Sequence, residues 1–132
     1  MQCISFNRVI NERTFICRRH KHDSRFFYSI FTYFFSFAGP NSREILSSII
    51  DCDLTNESMP PNSAAVVKVK GHKEFIVRVL RVSFVGELGY ELHIPKESCV
   101  QVYNLIMKAG ESFNLKNAGY RSLYSLSSEK GL

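Results

Sequence analysis

An α+β fold, an antiparallel sheet with flanking helices, is what this sequence predicts. Three observations carry it. Short apolar runs rich in β-branched residues, Ala64 to Lys70 and Phe75 to Val85, read as strands. Stripes at helical spacing, such as Ile45, Leu46, Ile49 and Ile50, alternate with them. The turns between adjacent strands are short, which favours hairpins over parallel crossovers. The 132 residues are enough for one domain with a core, and 45% hydrophobic against 22% charged residues is a globular balance.

Residues 1–37 differ from the remainder. They hold six Lys/Arg against two acidic residues, whereas residues 38–132 hold eleven against ten. The net charge of +5 is therefore local, and no nucleic-acid partner is expected. From Arg25 to Phe37 the chain reads RFFYSIFTYFFSF, with neither a period of two nor one of 3.6. That length suits a buried strand or part of a helix and falls short of the about 20 apolar residues of a membrane span, so no membrane partner is expected. The block starts too late for a signal peptide, and Glu12 and Asp23 fit a transit peptide poorly. Codons for Phe, Ser, Tyr and Ile are rich in pyrimidines, as an unspliced intron end is. Residues 1–37 are accordingly expected to be largely read-through or a misassigned first exon, which transcript sequencing across Phe37–Ala38 tests, and the domain to occupy residues 38–132.

After Ala38 each element has a local signal. Pro40 to Glu44 opens a helix, with Asn41 able to cap and Glu44 at the reciprocal capping-box position. Residues 51–63, with Asp53, Asn56, Pro60, Pro61 and Asn62, read as a loop. The two strands follow, separated by Gly71-His72-Lys73; in the second, Leu80, Val82 and Phe84 alternate with Arg81 and Ser83. Gly86-Glu87-Leu88-Gly89 is a turn with two flexible positions. Beyond it Tyr90, Leu92 and Ile94 face one way, and Glu91 and His93 the other. Residues 95–98 start a helix with Cys99, Tyr103, Ile106 and Met107 inward and Gly110 as its stop. A last helix starts near Gly119 and is still running at Leu132.

Cys3, Cys17, Cys52 and Cys99 are scattered without a CxxC, so reduced structural thiols are expected and no metal site. His20 and His22 lie in a basic run that reads as a solvated stretch, and His72 and His93 are lone histidines without an assigned partner. On spacing alone, GELGYE needs no function, since a glycine turn between strands is weak evidence.

Five blocks in order change that balance: AGPNSR from Ala38, DLTNE from Asp53, RVSFVGELGYELHIP from Arg81 to Pro95, NAGYR from Asn117, and SLSSEKG from Ser125. Together they resemble the aminomethyltransferase-type folate-binding domain of the glycine-cleavage T-protein kind, in its sarcosine/dimethylglycine dehydrogenase branch. Over residues 38–132 the chain then corresponds to part of such a domain.

The resemblance implies tetrahydrofolate as the ligand. Glu91 matches the family carboxylate that holds the pterin, and an ionised carboxylate accepts both donors of the pterin edge in a forked pair. Phe84 falls where relatives have a tyrosine lining the pocket, Gly86 and Gly89 shape the turn, and Tyr90 and Arg121 complete the cofactor-binding set. Glu87 is the motif's second acid, and Tyr103, Tyr120 and Tyr124 are core or pocket wall. T-proteins carry an arginine further along the last helix, where this chain has Leu123 and Ser127. The catalytic aspartate that such domains place upstream of the AGP block has no counterpart, Asp23 included, so no residue is assigned a catalytic role. FAD belongs to the parent enzyme only, because no GxGxxG-type loop is present. The implied partners are the flavin and C-terminal domains of that parent, and the implied compartment is the mitochondrial matrix. The alternative is a non-catalytic relative such as the regulatory subunit of pyruvate dehydrogenase phosphatase.

Overall fold

In a computed structural model of the chain, which describes residues 15–19 and 32–132, the strand signals resolve into a single six-stranded sheet. In chain order the elements are β1 (Phe15–Arg19), β2 (Thr32–Ala38), α1 (Ser42–Ile49), β3 (Ala64–Val69), β4 (His72–Leu80), β5 (Gly89–Pro95), α2 (Cys99–Gly110), β6 (Lys116–Asn117) and α3 (Tyr120–Glu129). The sheet order is β3-β4-β5-β2-β1-β6. Every neighbouring pair is antiparallel except β1 with the two-residue β6. The fold is thus α+β, with an antiparallel sheet and flanking helices. No helix among the described residues is long and apolar enough to cross a membrane. His20, His22, Asp23 and Cys3 lie outside the described residues.

The sheet starts upstream of the compositional break at Ala38. Strand β2 is the last part of the aromatic block, and it pairs with β5 along its whole length, from Thr32↔Pro95 to Ala38↔Gly89. Phe35 faces Leu92 and Phe37 faces Tyr90 in that register, and all four are buried. Phe34 and Ser36 point to the other face. The block shows no period of two because phenylalanine stands on both faces, so alternation of side-chain direction leaves no alternation of polarity.

Helix α1 begins as expected but without the expected cap. Asn41 makes no side-chain cap hydrogen bond. The start is tied instead to the segment before β5: the buried Ser42 donates from Oγ to the Leu88 carbonyl at 3.3 Å, and the Gly39 amide donates to the same carbonyl at 2.8 Å. Ile45, Leu46 and Ile49 form its buried stripe.

The β3–β4 hairpin turns on Lys70 and Gly71, the latter at φ 76°, so β4 begins at His72. It ends at Leu80, short of the expected Val85. The reason lies at Arg81. Its amide donates to the Ser63 carbonyl, its carbonyl accepts from the Asn62 amide, and its guanidinium donates to the Met59 carbonyl at 2.6 Å. These bonds bind Arg81 to the loop before β3, and residues 81–88 leave the sheet. The GELG stretch is the end of this longer connection.

Helix α2 follows a single 3-10 turn at Lys96–Ser98 and buries Cys99, Val102 and Ile106, with Tyr103 and Met107 packed at the core margin. The α-helix ends at Gly110, as expected, but not through a left-handed glycine. At φ −82° Gly110 is still helical, and the left-handed residue is Asn114 at φ 54°. Helix α3 ends at Glu129 rather than running on to Leu132. The Leu132 amide donates to the Ser127 carbonyl and the Gly131 amide to the Ser128 carbonyl, with Gly131 at φ 76°; this is a Schellman closure.

One face of the sheet, with Phe35, Phe37, Val67, Val69, Val77, Val79, Tyr90, Leu92 and Ile94, packs under α1 and α2 as the main core. Alternation along β5 therefore sends Glu91 and His93 to the opposite face. Cys52 and Cys99 are in no disulfide, and Cys99 is buried; burial, then the Asp53 and Asp51 carboxylates, push the Cys52 thiol up. Asp53 organises the loop after α1. It accepts from the hydroxyls of Ser58 and Thr55 and from the Thr55 amide, and these bonds hold its carboxyl below the usual carboxylate range. A lowered folded-state value contributes stability above the unfolded-state pKa and loses it as pH falls through the folded one. Asp53→Asn is therefore expected to flatten the fall in denaturation midpoint between neutral pH and pH 3. An unchanged acid profile would count against these bonds.

Candidate functional site

The second face of the sheet carries Phe34, Ser36 and Ala38 from β2, and Gly89, Glu91 and His93 from β5. Helix α3 covers one end, where Leu123 and Leu126 pack on Ala38 and Val85 in a small separate core. Residues 84–87 lie against the same helix. The Glu87 carboxylate meets the Lys130 ammonium at 2.6 Å, and a side chain at Gly86 (φ 69°) would come within 3.1 Å of Lys130. The positive φ favours glycine there, and a side chain would press on the flexible Lys130.

Between this connection and α3 lies an open cavity of about 270 Å³, lined by Phe84, Tyr120, Leu123, Tyr124 and Ser127. Phe84 is 43% exposed and Tyr124 63%, so large aromatic surfaces face solvent here. Tyr120 and Tyr124 stand one helical turn apart, edge to face at 5.5 Å. Their spacing in the sequence was the available signal; that they meet Phe84 depends on how α3 docks.

Glu91 and His93, adjacent on this face of β5, are joined by a 2.6 Å contact between Oε1 and Nε2, with 14% and 20% of their side chains exposed. His93 also meets Phe34 edge to face at 4.4 Å. His93 is thus partnered, as is His72, which pairs with Glu74 at 3.4 Å and stacks on Phe75. Sequence reasoning gave neither a partner, although Glu91 and His93 two residues apart on one strand were a legible hint.

The other expected site residues fall elsewhere. Tyr90 is fully buried on the core face, opposite to Glu91, and its hydroxyl accepts from Arg43 Nε at 3.4 Å. Its ring belongs to the core because strand alternation fixes neighbours on opposite faces. At Gly89 a Cβ would lie 3.0 Å from the Val82 carbonyl, so this glycine lets the chain's own connection cross the strand. Arg121 is exposed in the first turn of α3, outside the residues that line the cavity. Glu87 is engaged by Lys130. Glu91 is likewise outside the residues that line the cavity; an aromatic wall suits a flat ring, and a half-buried carboxylate suits a donor edge.

The family model described as the GCVT N-terminal domain matches residues 26–132, a span that reaches into the aromatic block and includes all of β2. The chain is 53% identical over 96 residues to the mitochondrial sarcosine dehydrogenase of Homo sapiens, covering 73% of this chain and 10% of that protein. It is 43% identical over 93 residues to the 4-methylaminobutanoate oxidase (formaldehyde-forming) of Paenarthrobacter nicotinovorans, covering 70% and 11%. Identity falls to 35% over 92 residues with the mitochondrial pyruvate dehydrogenase phosphatase regulatory subunit of Mus musculus, again 70% and 10%. The chain spans about a tenth of the length of these relatives.

Proposed function

Because this chain belongs to the GCVT N-terminal domain family, we propose that it is the folate-cradle portion of a sarcosine dehydrogenase-like protein and contacts the pterin of tetrahydrofolate. The observation that carries the reading is the half-buried Glu91 carboxylate on the second face of the sheet; the Phe84–Tyr120–Tyr124 cavity, which Glu91 does not line, offers aromatic surface between the 81–88 connection and α3. The residues present fit such a ligand. A carboxylate has about four lone-pair sites, and the bond to His93 uses one of them at Glu91. Phe84 offers an apolar face for stacking, with no hydroxyl to add a polar contact. Gly86 lets the backbone pass close to α3, and the exposed Arg121 at the helix start is a cation suited to the acidic tail of a folate.

In the parent protein so inferred, a methylated glycine is oxidised at FAD and the one-carbon unit passes to tetrahydrofolate. This chain's part is to bind and orient the pterin; the flavin and C-terminal domains of that parent are its partners and the mitochondrial matrix its compartment. Higher identity to the sarcosine dehydrogenase than to the phosphatase regulatory subunit favours this reading over the regulator.

Calorimetric titration of the 132-residue chain with 5-formyltetrahydrofolate tests the proposal. Glu91→Gln is expected to weaken binding by about 10- to 100-fold, the usual range for losing a charged acceptor in a partly buried site. A folded wild-type chain that does not bind removes the folate reading, and equal binding by the variant removes the role of Glu91.

A further inference from the structure

The two walls of the aromatic cavity belong to separate elements. Phe84 comes from the connection between β4 and β5, whereas Tyr120, Leu123, Tyr124 and Ser127 come from α3. We infer that Glu87 and Lys130 are positioning residues: their ion pair clasps the connection to the end of α3 and so sets the width of the cavity that receives the ligand's ring. The inference rests on the folate reading and deepens it.

The connection is tied at both ends to parts of the fold other than α3. Arg81 is bonded to residues 59, 62 and 63, and the Leu88 carbonyl accepts from the Gly39 amide. Between those ties Val85 packs in the small core with Leu123 and Leu126, the two buried residues of α3. A helix that buries two residues is docked shallowly, so a contact at its end weighs on its position. Lys130 makes that contact just beyond the last turn. Its stem crosses Gly86, where a Cβ would lie 3.1 Å from Lys130 Cγ, and its ammonium stands 2.6 Å from Glu87 Oε1. With 37% and 21% of the two side chains exposed, the pair is partly withdrawn from water and from screening by salt. The cation also lies at the helix C-terminus, the end that the macrodipole makes favourable to positive charge. Opening the clasp lowers the fraction of molecules whose cavity walls stand at the ring's spacing, and apparent affinity falls with that fraction.

Charge reversal tests the role, because its two halves change the net charge in opposite directions. Calorimetric titration of the full chain with 5-formyltetrahydrofolate, an anionic ligand, is expected to show about three- to tenfold weaker binding for Lys130→Glu and for Glu87→Lys, since each sets like charges in contact. The double reversal is expected to return to within about threefold of wild type, the remainder reflecting an acid at the helix C-terminus. Hydrogen exchange of the α3 amides without ligand is expected to accelerate in both single variants and to slow again in the double. Should a reversal not fold in a thermal melt, Lys130→Met and Glu87→Gln replace the pair: each is expected to weaken binding about threefold, and the two together no further than either alone. Opposite effects of the two reversals would follow net charge and overturn the inference. Weakening at Glu87 with none at Lys130 would make Glu87 a direct ligand contact and overturn it too, as would a double reversal no better than either single. A folded wild-type chain that does not bind removes the folate reading and the inference together. Wild-type binding without coupling between the two positions removes the inference alone.

Discussion

Replacing Phe37 by alanine is expected to destabilise the chain by about 3–5 kcal/mol, the range for emptying a fully buried phenylalanine site. Phe37 is 0% exposed and lies directly opposite Tyr90, itself 0% exposed, in the pairing of β2 with β5. The cavity would open at the centre of the sheet, under α1, where neighbours on paired strands cannot move together without breaking register. Thermal or urea denaturation followed by circular dichroism measures the loss. Phe84→Ala is the control: its ring is 43% exposed, and its truncation is expected to shift the midpoint little. A Phe37 variant as stable as the control would mean that the aromatic segment is dispensable to the fold. Phe37→Leu should recover a good part of the loss, because most of the buried volume returns.

Gly110→Ala sets two effects against each other. At φ −82° the position is helical, and alanine is ordinarily better than glycine there by about 0.5–1 kcal/mol. Space decides otherwise. A Cβ at residue 110 would lie 2.4 Å from Leu115 Cδ2 and 2.5 Å from Leu115 Cβ. The second of these atoms is fixed to the backbone, and the Leu115 amide is bonded to the Gly110 carbonyl at 3.0 Å, so a rotamer change of Leu115 cannot relieve the contact. Overpacking of this kind costs about 1–3 kcal/mol and outweighs the helix propensity. The expected result is a lower denaturation midpoint for Gly110→Ala. Gly119→Ala, where nothing lies within 4 Å of the added carbon, is expected to leave it unchanged. Stabilisation by Gly110→Ala would show that the α2–β6 connection yields more easily than its hydrogen bonds imply.

Much of the architecture was legible where local signals were self-sufficient. The stripe of α1, the hairpin of β3 and β4, the alternation of Tyr90, Leu92 and Ile94 against Glu91 and His93, and the start of α3 after Gly119 all follow from period and turn chemistry. The errors fall where a distant group supplied the constraint. Val82 and Phe84 alternate as a strand would, yet Arg81 is bound to residues 59, 62 and 63 and takes that segment out of the sheet. Asn41 has a capping side chain, yet the helix start is held by Leu88. Gly110 does end α2, but the left-handed turn comes later, at Asn114, and the small size of Gly110 serves Leu115.

The candidate site divides in the same way. By itself the sequence determined the chemistry on offer: a carboxylate at 91, an aromatic at 84, glycines at 86 and 89, and the ordered blocks that carry the family resemblance. Those are properties of residue type and spacing, which a linear string contains. Only the tertiary structure decided that Tyr90 belongs to the core, that His93 grips Glu91, that Lys130 takes Glu87, and that Phe84 meets Tyr120 and Tyr124 across a cavity. It likewise made an unpatterned aromatic run into a central strand, because β5 offers it a partner of matching register. Side-chain direction and pairing are set by which surfaces bury together, and that is a property of the whole chain.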